Sequence, residues 1–420
     1  MIRKSVLSNG VRLLTESMPT MVSSTIGIWV ENGSRYETPA ENGTSHFIEH
    51  LLFKGTTTRT AAQIAEEVDA VGGVLNAFTG KEYTCYYAKV LGQDLDMTTD
   101  LLADIFLDST FNADEMERER QVVLQEISQA QDTPDDFIHD LFTENFWKGH
   151  PLAAPIFGTV ETVNGINREH LRSFMAARYR SERVFLAAAG QVDHDKLHER
   201  CERLFGPIPA NGKRDPISVP TPRPLVLNEQ KKLEQAHICI GAPGIGQVHP
   251  LRYAGYVLNT ALGGGMSSRL FQEVREKRGH VYTIYSFASS FIDSGYFVVY
   301  AGTNPEWVDE VLEVTIEEFR KLAHEGLSAP ELARAKSQLK GNMLLGMEST
   351  DSRMNRLARN EIYFRRDIPL EEISAGIDSV TNDQILELAS SWFKADQMAI
   401  VTLGDLQGRE VSADVLAPLA

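Results

Sequence analysis

Two histidines and one glutamate near residue 50 have the types and the spacing of a metal site. His46, Glu49 and His50 stand at positions i, i+3 and i+4, so on a helix their side chains share one face. The residues between and after them are nearly all apolar, which predicts a short buried helix. Burying a carboxylate and two imidazoles is costly unless they are paired or bind a cation. Neutral imidazoles are common Zn²⁺ ligands, and a carboxylate beside them suits base chemistry on water, so the pattern predicts a catalytic zinc site.

A catalytic zinc site takes three protein ligands and keeps one position open, so a third ligand is expected from elsewhere in the chain. The helix predicted to start near Asn112 offers two candidates, Glu119 and Glu126, close to its apolar face. That face is marked by four residues: Met116, Val122, Val123 and Ile127. Seven residues span about 10.5 Å of helix, so both glutamates lie along one side. One can ligate the metal while the other orients a ligating histidine, and the spacing leaves open which does which.

The elements that must position these residues fall into two halves. Six prolines between Pro207 and Pro224 mark a linker. Each half is predicted to follow one order: a strand, helices, a strand pair, two long helices, then a final strand and helix. Predicted strands lie near residues 10–14, 23–30, 74–77, 83–90 and 184–189, and near 237–241, 282–287, 295–301 and 398–403.

This pattern predicts an α+β fold of two tandem, structurally similar domains, each a largely antiparallel sheet packed against helices. The predicted domains are residues 1–210, with the metal motif, and residues 225–420, which lack H-x-x-E-H. One metal site per chain is expected.

Composition excludes several classes of protein. The formal charge of −17, from 41 basic and 58 acidic residues, disfavours nucleic acid as a partner. No apolar run approaches the roughly 20 residues of a membrane span. Cys85, Cys201 and Cys239 are scattered, which favours a reducing compartment and no cysteine metal site. The N-terminal segment has no signal-like apolar stretch, so the expected location is the cytoplasm.

At these residues the chain resembles the M16 metallopeptidases, the inverzincin family that includes pitrilysin, insulin-degrading enzyme and the mitochondrial processing peptidase. The motif H-F-I-E-H of residues 46–50, followed by Glu126, is similar to the metal signature of that family. Residues 71–84, 150–159 and 270–282 resemble further blocks, so the similarity covers nearly the whole chain. The length is similar to that of two-domain bacterial members, which implies the processing-peptidase-like metallohydrolase fold.

The resemblance implies a role for each residue of the metal motif. His46, His50 and Glu126 would bind one Zn²⁺ per chain, and Glu49 would act as the general base that activates a zinc-bound water. Glu119 would be the carboxylate that orients a ligand. The implied activity is that of a zinc metalloendopeptidase, a hydrolase acting on peptides or unfolded polypeptide segments.

The resemblance also implies a substrate strand and a contribution from the second domain. Asn76, Ala77 and Phe78 would lie on an edge strand that takes up the peptide by backbone pairing, whereas the residues alone indicate an ordinary core strand equally well. Arg275 and Tyr282 would complete the catalytic site from the second domain. Without the resemblance, Arg275 reads as a surface charge and Arg278 is an equal candidate. Since two-domain members enclose their substrate between four domains, a homodimer is expected.

Two alternatives belong to other functional classes. The family contains non-catalytic scaffold subunits that have lost the zinc residues, but His46, Glu49, His50 and Glu126 are all present here. Short inverzincin lyases share only H-x-x-E-H and use a cysteine as the third ligand. Cys85 lies in a strand pattern with no separate sign of ligation, so the peptidase interpretation is preferred.

Overall fold

The structure is a computed structural model that describes residues 1–210 and 216–420, and it contains two compact units. The first comprises Met1–Gln129, Ala154–Ile217 and Gly346–Asp367. The second comprises Ala130–Ala153, Ser218–Leu345 and Ile368–Ala420. Each unit consists of one sheet with helices packed against it, so the predicted α+β class is confirmed.

The described residues form eleven strands and fourteen α-helices. The strands are β1 (Ile2–Val6), β2 (Arg12–Ser17), β3 (Ser23–Val30), β4 (Val74–Thr79), β5 (Thr84–Leu91), β6 (Val184–Gly190), β7 (Leu225–Gln230), β8 (Ala236–Gly244), β9 (Val281–Ser290), β10 (Gly295–Thr303) and β11 (Ala399–Gly404). The helices are α1 (Thr44–Leu52), α2 (Ala61–Ala70), α3 (Leu95–Asp108), α4 (Ala113–Asp132), α5 (Pro134–Phe146), α6 (Val160–Gly165), α7 (Arg168–Arg178), α8 (His194–Phe205), α9 (Arg252–Gly263), α10 (Val308–Glu325), α11 (Ala329–Gly346), α12 (Thr350–Phe364), α13 (Leu370–Asp378) and α14 (Asn382–Trp392). None of these helices combines the length and the apolar character needed to cross a membrane.

The first unit is built on a six-stranded sheet in the order β1-β2-β6-β3-β5-β4. β2 and β6 are parallel, and the other neighbours are antiparallel. β3 and β6 are buried along nearly their whole length, as expected for central strands covered on both faces. β4 is at the edge, and β5 is the one described strand with which it pairs.

The second unit repeats this topology in a five-stranded sheet ordered β7-β11-β8-β10-β9. Apart from β1, both sheets run in the order first, fifth, second, fourth and third strand of their own unit. In both, the first and fifth strands are the parallel pair. The shared topology confirms the predicted structural similarity of the two domains.

Each sheet is also covered by a helix from the other half of the chain. α5 packs on β8 and β11 of the second unit, and α12 packs on β2, β3 and β6 of the first. A sheet with two apolar faces needs a layer on each, and these helices supply it. The compact units are therefore discontinuous in sequence, whereas the domain boundaries 1–210 and 225–420 describe contiguous homologous halves and stay a prediction. Residues 211–215 of the predicted linker lie outside the described residues, and residues 216–224 form no helix or strand.

Candidate metal centre

The metal motif lies on α1, whose start is fixed by a carboxylate outside the helix. Most of α1 is buried, as predicted. Its N-cap, Gly43, has no side chain to accept hydrogen bonds from the helix start, and Glu37 accepts them instead. The backbone N–H groups of Gly43 and Ser45 donate to Glu37 at 2.8 and 2.7 Å. A carboxylate there satisfies N–H groups left open at the helix start and matches the positive end of the helix dipole. Burial raises the pKa of Glu37, while these hydrogen bonds oppose the rise.

A close backbone crossing holds the same end of α1. A Cβ atom on Gly43 would lie 2.6 Å from the carbonyl oxygen of Phe157, and one on Gly158 would lie 2.6 Å from that of Asn42. Both glycines also have positive φ angles. A side chain at either position would therefore meet both a steric clash and an unfavourable backbone conformation. The ring of Phe157 packs against the imidazole of His46 with centroids 5.0 Å apart. The segment around residue 157 thus covers one side of the candidate ligand.

The structure brings His46, His50 and Glu126 together. Glu126 Oε2 lies 3.7 Å from His46 Nε2 and 3.5 Å from His50 Nε2. Among the described residues this is the only group of three or more potential ligands whose atoms lie within 4.8 Å of one another. Two atoms each about 2.1 Å from a tetrahedral zinc are roughly 3.4 Å apart, close to the observed spacing.

The chemistry of the three side chains also fits a cation. Glu126 Oε2 is buried and accepts no hydrogen bond in the described structure, although a buried carboxylate oxygen needs a partner. Burial, with added repulsion from His50, lowers the pKa of His46 to about 3. Its imidazole is therefore neutral at pH 7, which is the form that binds metals. A zinc ion would satisfy all three groups.

Glu119 approaches His50 from the side opposite to Glu126. Its Oε2 lies 3.1 Å from His50 Nδ1, and its Oε1 lies 2.8 Å from Lys54 Nζ. Because a carboxylate only accepts, Nδ1 is the donor and the lone pair of a neutral His50 is on Nε2, toward Glu126. The sequence prediction missed Lys54, which lies two residues beyond the end of α1.

Glu49 lies beside the three-residue cluster and is not part of it. Its Oε2 accepts a hydrogen bond of 2.5 Å from Thr79 Oγ1. Burial raises the pKa of Glu49, the Thr79 bond and His50 oppose the rise, and Glu126 adds to it. The side chain is half-buried, so it combines a raised proton affinity with access to the site.

Arg120 docks α4, the helix that carries Glu119 and Glu126. The guanidinium of Arg120 stacks over the ring of Phe47, 5.5 Å from its centroid, and donates to the carbonyl groups of Val163 and Ile166. The buried residues of α4 are Met116, Glu119, Val123 and Ile127. The prediction that Val122 lies on this face was wrong, because the buried positions recur at intervals of three and four residues and Val122 falls outside them, 40% exposed.

The predicted substrate residues lie on β4. Asn76, Ala77 and Phe78 belong to this edge strand, whose second side pairs with no described strand. The N–H of Ala77 donates to Asn76 Oδ1 at 2.8 Å. Phe78 packs edge-on against Trp29 with centroids 5.6 Å apart, which anchors the strand.

Arg275 and Tyr282 belong to the second unit, and both are exposed. Arg275 follows Phe271 in a short π-helix, with its guanidinium 4.9 Å from the centre of that ring. Tyr282 is 61% exposed because it is the extra residue of a β-bulge: Gly302 pairs with Thr283, and the next pair skips to Val281. Bulges of this kind redirect side chains and are frequent near active sites.

Arg278, which the residues alone made an equal candidate to Arg275, has a different environment. It lies 3.2 Å from a carboxylate oxygen of Glu273 and 3.6 Å from one of Glu310. The structure thus distinguishes two arginines that sequence alone did not.

Comparisons with known proteins identify the family of this chain. A family model described as insulinase, peptidase family M16, matches residues 12–160, and one described as peptidase M16 inactive domain matches residues 165–339. An "uncharacterized zinc protease" of Streptomyces coelicolor is 41% identical, covering 100% of this chain and 90% of its own. One of Bacillus subtilis is 42% identical, covering 94% and 97%.

Solved structures agree on the fold. A crystal structure of a peptidase M16 inactive domain from Pseudomonas fluorescens has a TM-score of 0.90 at 21% identity, covering 96% of this chain and 98% of its own. A protease from Helicobacter pylori has a TM-score of 0.88 at 22% identity, covering 96% and 99%. The two family models, together with sequence identity above 40% over nearly the full length of the zinc protease relatives, show that this chain belongs to peptidase family M16.

Proposed function

We propose that this protein is a zinc-dependent endopeptidase that cleaves peptides or unfolded polypeptide segments. The observation that carries the proposal is the convergence of His46, His50 and Glu126 on one point, with the separate carboxylate of Glu49 beside it. Three ligands and a nearby base are the composition of a catalytic zinc site, since a structural site uses four protein ligands. The zinc protease names of its relatives support the same activity.

Metal binding, ligand orientation and proton transfer are assigned to different side chains. When bound, Zn²⁺ supplies Lewis acidity, which lowers the pKa of a coordinating water and polarises a carbonyl group. His46, His50 and Glu126 hold the ion, and Glu119 fixes the ring of His50. Glu49 takes the proton from the attacking water and later gives it to the leaving amine. The raised pKa of Glu49 suits both transfers, because a base works best when its pKa lies near the working pH.

The edge strand β4 is the proposed binding place of the peptide backbone. A substrate strand adding to β4 would pair mainly through backbone groups, so binding would tolerate many side-chain sequences. The N–H of Ala77, bonded to Asn76 Oδ1 in this structure, would donate instead to a substrate carbonyl. Asn76, Ala77 and Phe78 are therefore proposed as substrate-binding residues.

Arg275 and Tyr282 are proposed to stabilise the negative charge of the tetrahedral intermediate. An arginine and a tyrosine hydroxyl are both suitable donors to a developing oxyanion. The exposure of both side chains leaves them accessible to a substrate. The homodimer likewise remains a proposal and rests on the family resemblance.

The proposed function is tested by digesting a peptide library with the zinc-loaded protein, with the protein after chelation, and with the chelated protein after zinc is restored. Mass spectrometry of the products should show internal cuts that disappear with the chelator and return with zinc. Cuts confined to peptide ends would contradict the endopeptidase assignment. A fully zinc-loaded protein that cuts nothing would contradict the peptidase assignment and favour a scaffold role.

A further inference from the structure

We propose that Thr79 is a positioning residue that holds the carboxylate of Glu49 in the orientation needed for proton transfer. The inference rests on the proposed function, because it assigns Thr79 a role in the same reaction. It concerns the hydroxyl group at the end of β4, three residues beyond the first proposed substrate residue, Asn76.

The geometry is that of a strong hydrogen bond. Thr79 Oγ1 lies 2.5 Å from Glu49 Oε2, at the short end of the range for a hydroxyl donating to a carboxylate. The hydroxyl is the donor because an ionised carboxylate only accepts. Thr79 is the last residue of β4 and pairs with Thr84 of β5, so its backbone is held by the sheet.

A base on a helix needs such a partner. A glutamate side chain has several rotatable bonds, and fixing them costs free energy unless a contact selects one rotamer. The Thr79 hydroxyl supplies such a contact at Glu49 Oε2. Because Thr79 already donates to Oε2, we expect Oε1 to be the oxygen that takes the proton from water.

The position of Thr79 also links the base to the substrate strand. Phe78 and Thr79 are consecutive on β4. A peptide paired with β4 and the carboxylate held by Thr79 would therefore both be fixed in position by the same strand. Small errors in such alignment slow the chemical step more than they weaken binding. Loss of the hydroxyl should therefore lower kcat and leave KM nearly unchanged.

The test compares Thr79→Val, which keeps the shape and removes the donor, with Thr79→Ser, which keeps the donor. On a short peptide that the wild type cleaves, we expect Thr79→Val to lose roughly 10- to 100-fold in kcat, the range for a hydrogen bond to a charged group. KM should stay within about twofold, and zinc content should match the wild type. Thr79→Ser should recover most of the loss. If Thr79→Val does not fold, Thr79→Ala is measured in the same way.

Thr84→Val is the matched control, since Thr84 lies opposite Thr79 and its hydroxyl donates to the carbonyl of Asn32 at 3.0 Å. It should lower stability without lowering kcat per zinc-loaded molecule. Wild-type kcat in Thr79→Val, or an equal loss in Thr79→Ser, would overturn the proposal.

A second measurement does not depend on activity. Crystal structures should show the Glu49 carboxylate displaced in Thr79→Val and retained in Thr79→Ser. An undisplaced Glu49 in Thr79→Val would overturn the positioning role even if the wild type proved to have no peptidase activity, so the two proposals fail separately.

Discussion

At the scale of single residues, Glu119 and Glu126 of α4 differ in what they face. Glu126 lies near the Nε2 atoms of both histidines, and Glu119 lies at Nδ1 of His50 and at Lys54. Their spacing of seven residues predicted that both would reach the site and left their roles open. The distances support Glu126 as ligand and Glu119 as the partner that orients His50.

Replacing Glu119 should weaken zinc binding without abolishing it. Glu119→Ala removes the acceptor that fixes the tautomer and orientation of His50, and such losses typically cost about 10- to 100-fold in metal affinity. The measurement is competition for zinc against a chelator of known affinity. Glu115→Ala, on the same helix with its carboxylate paired to Arg118, is the control and should bind zinc like the wild type. Unchanged affinity in Glu119→Ala would contradict the role.

The sequence indicated His46, Glu49 and His50 because their spacing places them on one face of a helix. It did not indicate Glu37, Lys54 or Thr79 as supporting residues, since each acts through a contact that the fold creates. Glu37 caps α1 from a loop, and Thr79 reaches Glu49 from a strand that begins 25 residues later in the chain. No periodicity or motif marks such contacts in advance.

At the scale of elements, the nine predicted strands correspond to β2–β6 and β8–β11, with shifts of a few residues at their ends. β1 and β7 were missed because their residues are mostly half-buried or exposed and give no clear apolar pattern. It could not be predicted that α5 and α12 each pack on the sheet of the other half of the chain. An apolar helix face shows that the helix is covered, but it does not indicate by which sheet.

α5 carries a half-buried histidine, His139, whose protonation state affects the stability of the fold. His139 lies against the rings of Tyr285, Phe287 and Tyr300, with centroids 5.2 to 6.4 Å away. Burial lowers the pKa of His139, and nearby His237 lowers it further, while Asp135 and Asp136 oppose the shift in part. The folded protein therefore favours neutral His139.

This shift predicts a loss of stability in acid. An unfolded histidine has a pKa of about 6.5, so below that pH the unfolded chain binds a proton that folded His139 binds less readily. Its stabilising contribution is complete above pH 6.5 and falls as pH drops through the lowered pKa. Urea unfolding should show a smaller decrease between pH 7.5 and 5.5 for His139→Gln than for the wild type. His249→Gln, a histidine elsewhere in the second unit, is the control, and equal decreases in His139→Gln and wild type would contradict the prediction.

At the scale of the whole molecule, one topology occurs twice, whereas the described residues contain one candidate metal centre. α9 follows β8, and α1 follows β3, the strand at the equivalent place in the first sheet. The sequence of α9, R-Y-A-G-Y-V-L-N-T-A-L-G, contains no histidine or carboxylate. The second unit is proposed to contribute Arg275 and Tyr282 instead. Only the family resemblance suggested this, because an exposed arginine and an exposed tyrosine have no spacing that indicates chemistry.

Arg275→Ala and Tyr282→Phe should each keep zinc and lose roughly 10² to 10³ in turnover, the usual effect of removing one donor to a tetrahedral intermediate. Arg278→Ala is the matched control and should stay near wild type, since its guanidinium pairs with Glu273 and Glu310. Turnover is measured on a short peptide with zinc content matched. If Arg275→Ala turned over peptide at the wild-type rate, the proposed catalytic role of Arg275 in the second unit would be contradicted.

The central claim is that metal binding and base catalysis belong to different residues of one site. Zinc content and peptide turnover, measured together in Glu49→Gln, His50→Ala and Glu126→Ala, test it most directly. We predict that Glu49→Gln keeps about one zinc per chain and loses nearly all turnover, because the amide cannot take a proton. His50→Ala and Glu126→Ala should lose both. A Glu49→Gln protein as depleted of zinc as His50→Ala, or one that still turns over peptide at the wild-type rate, would contradict the account.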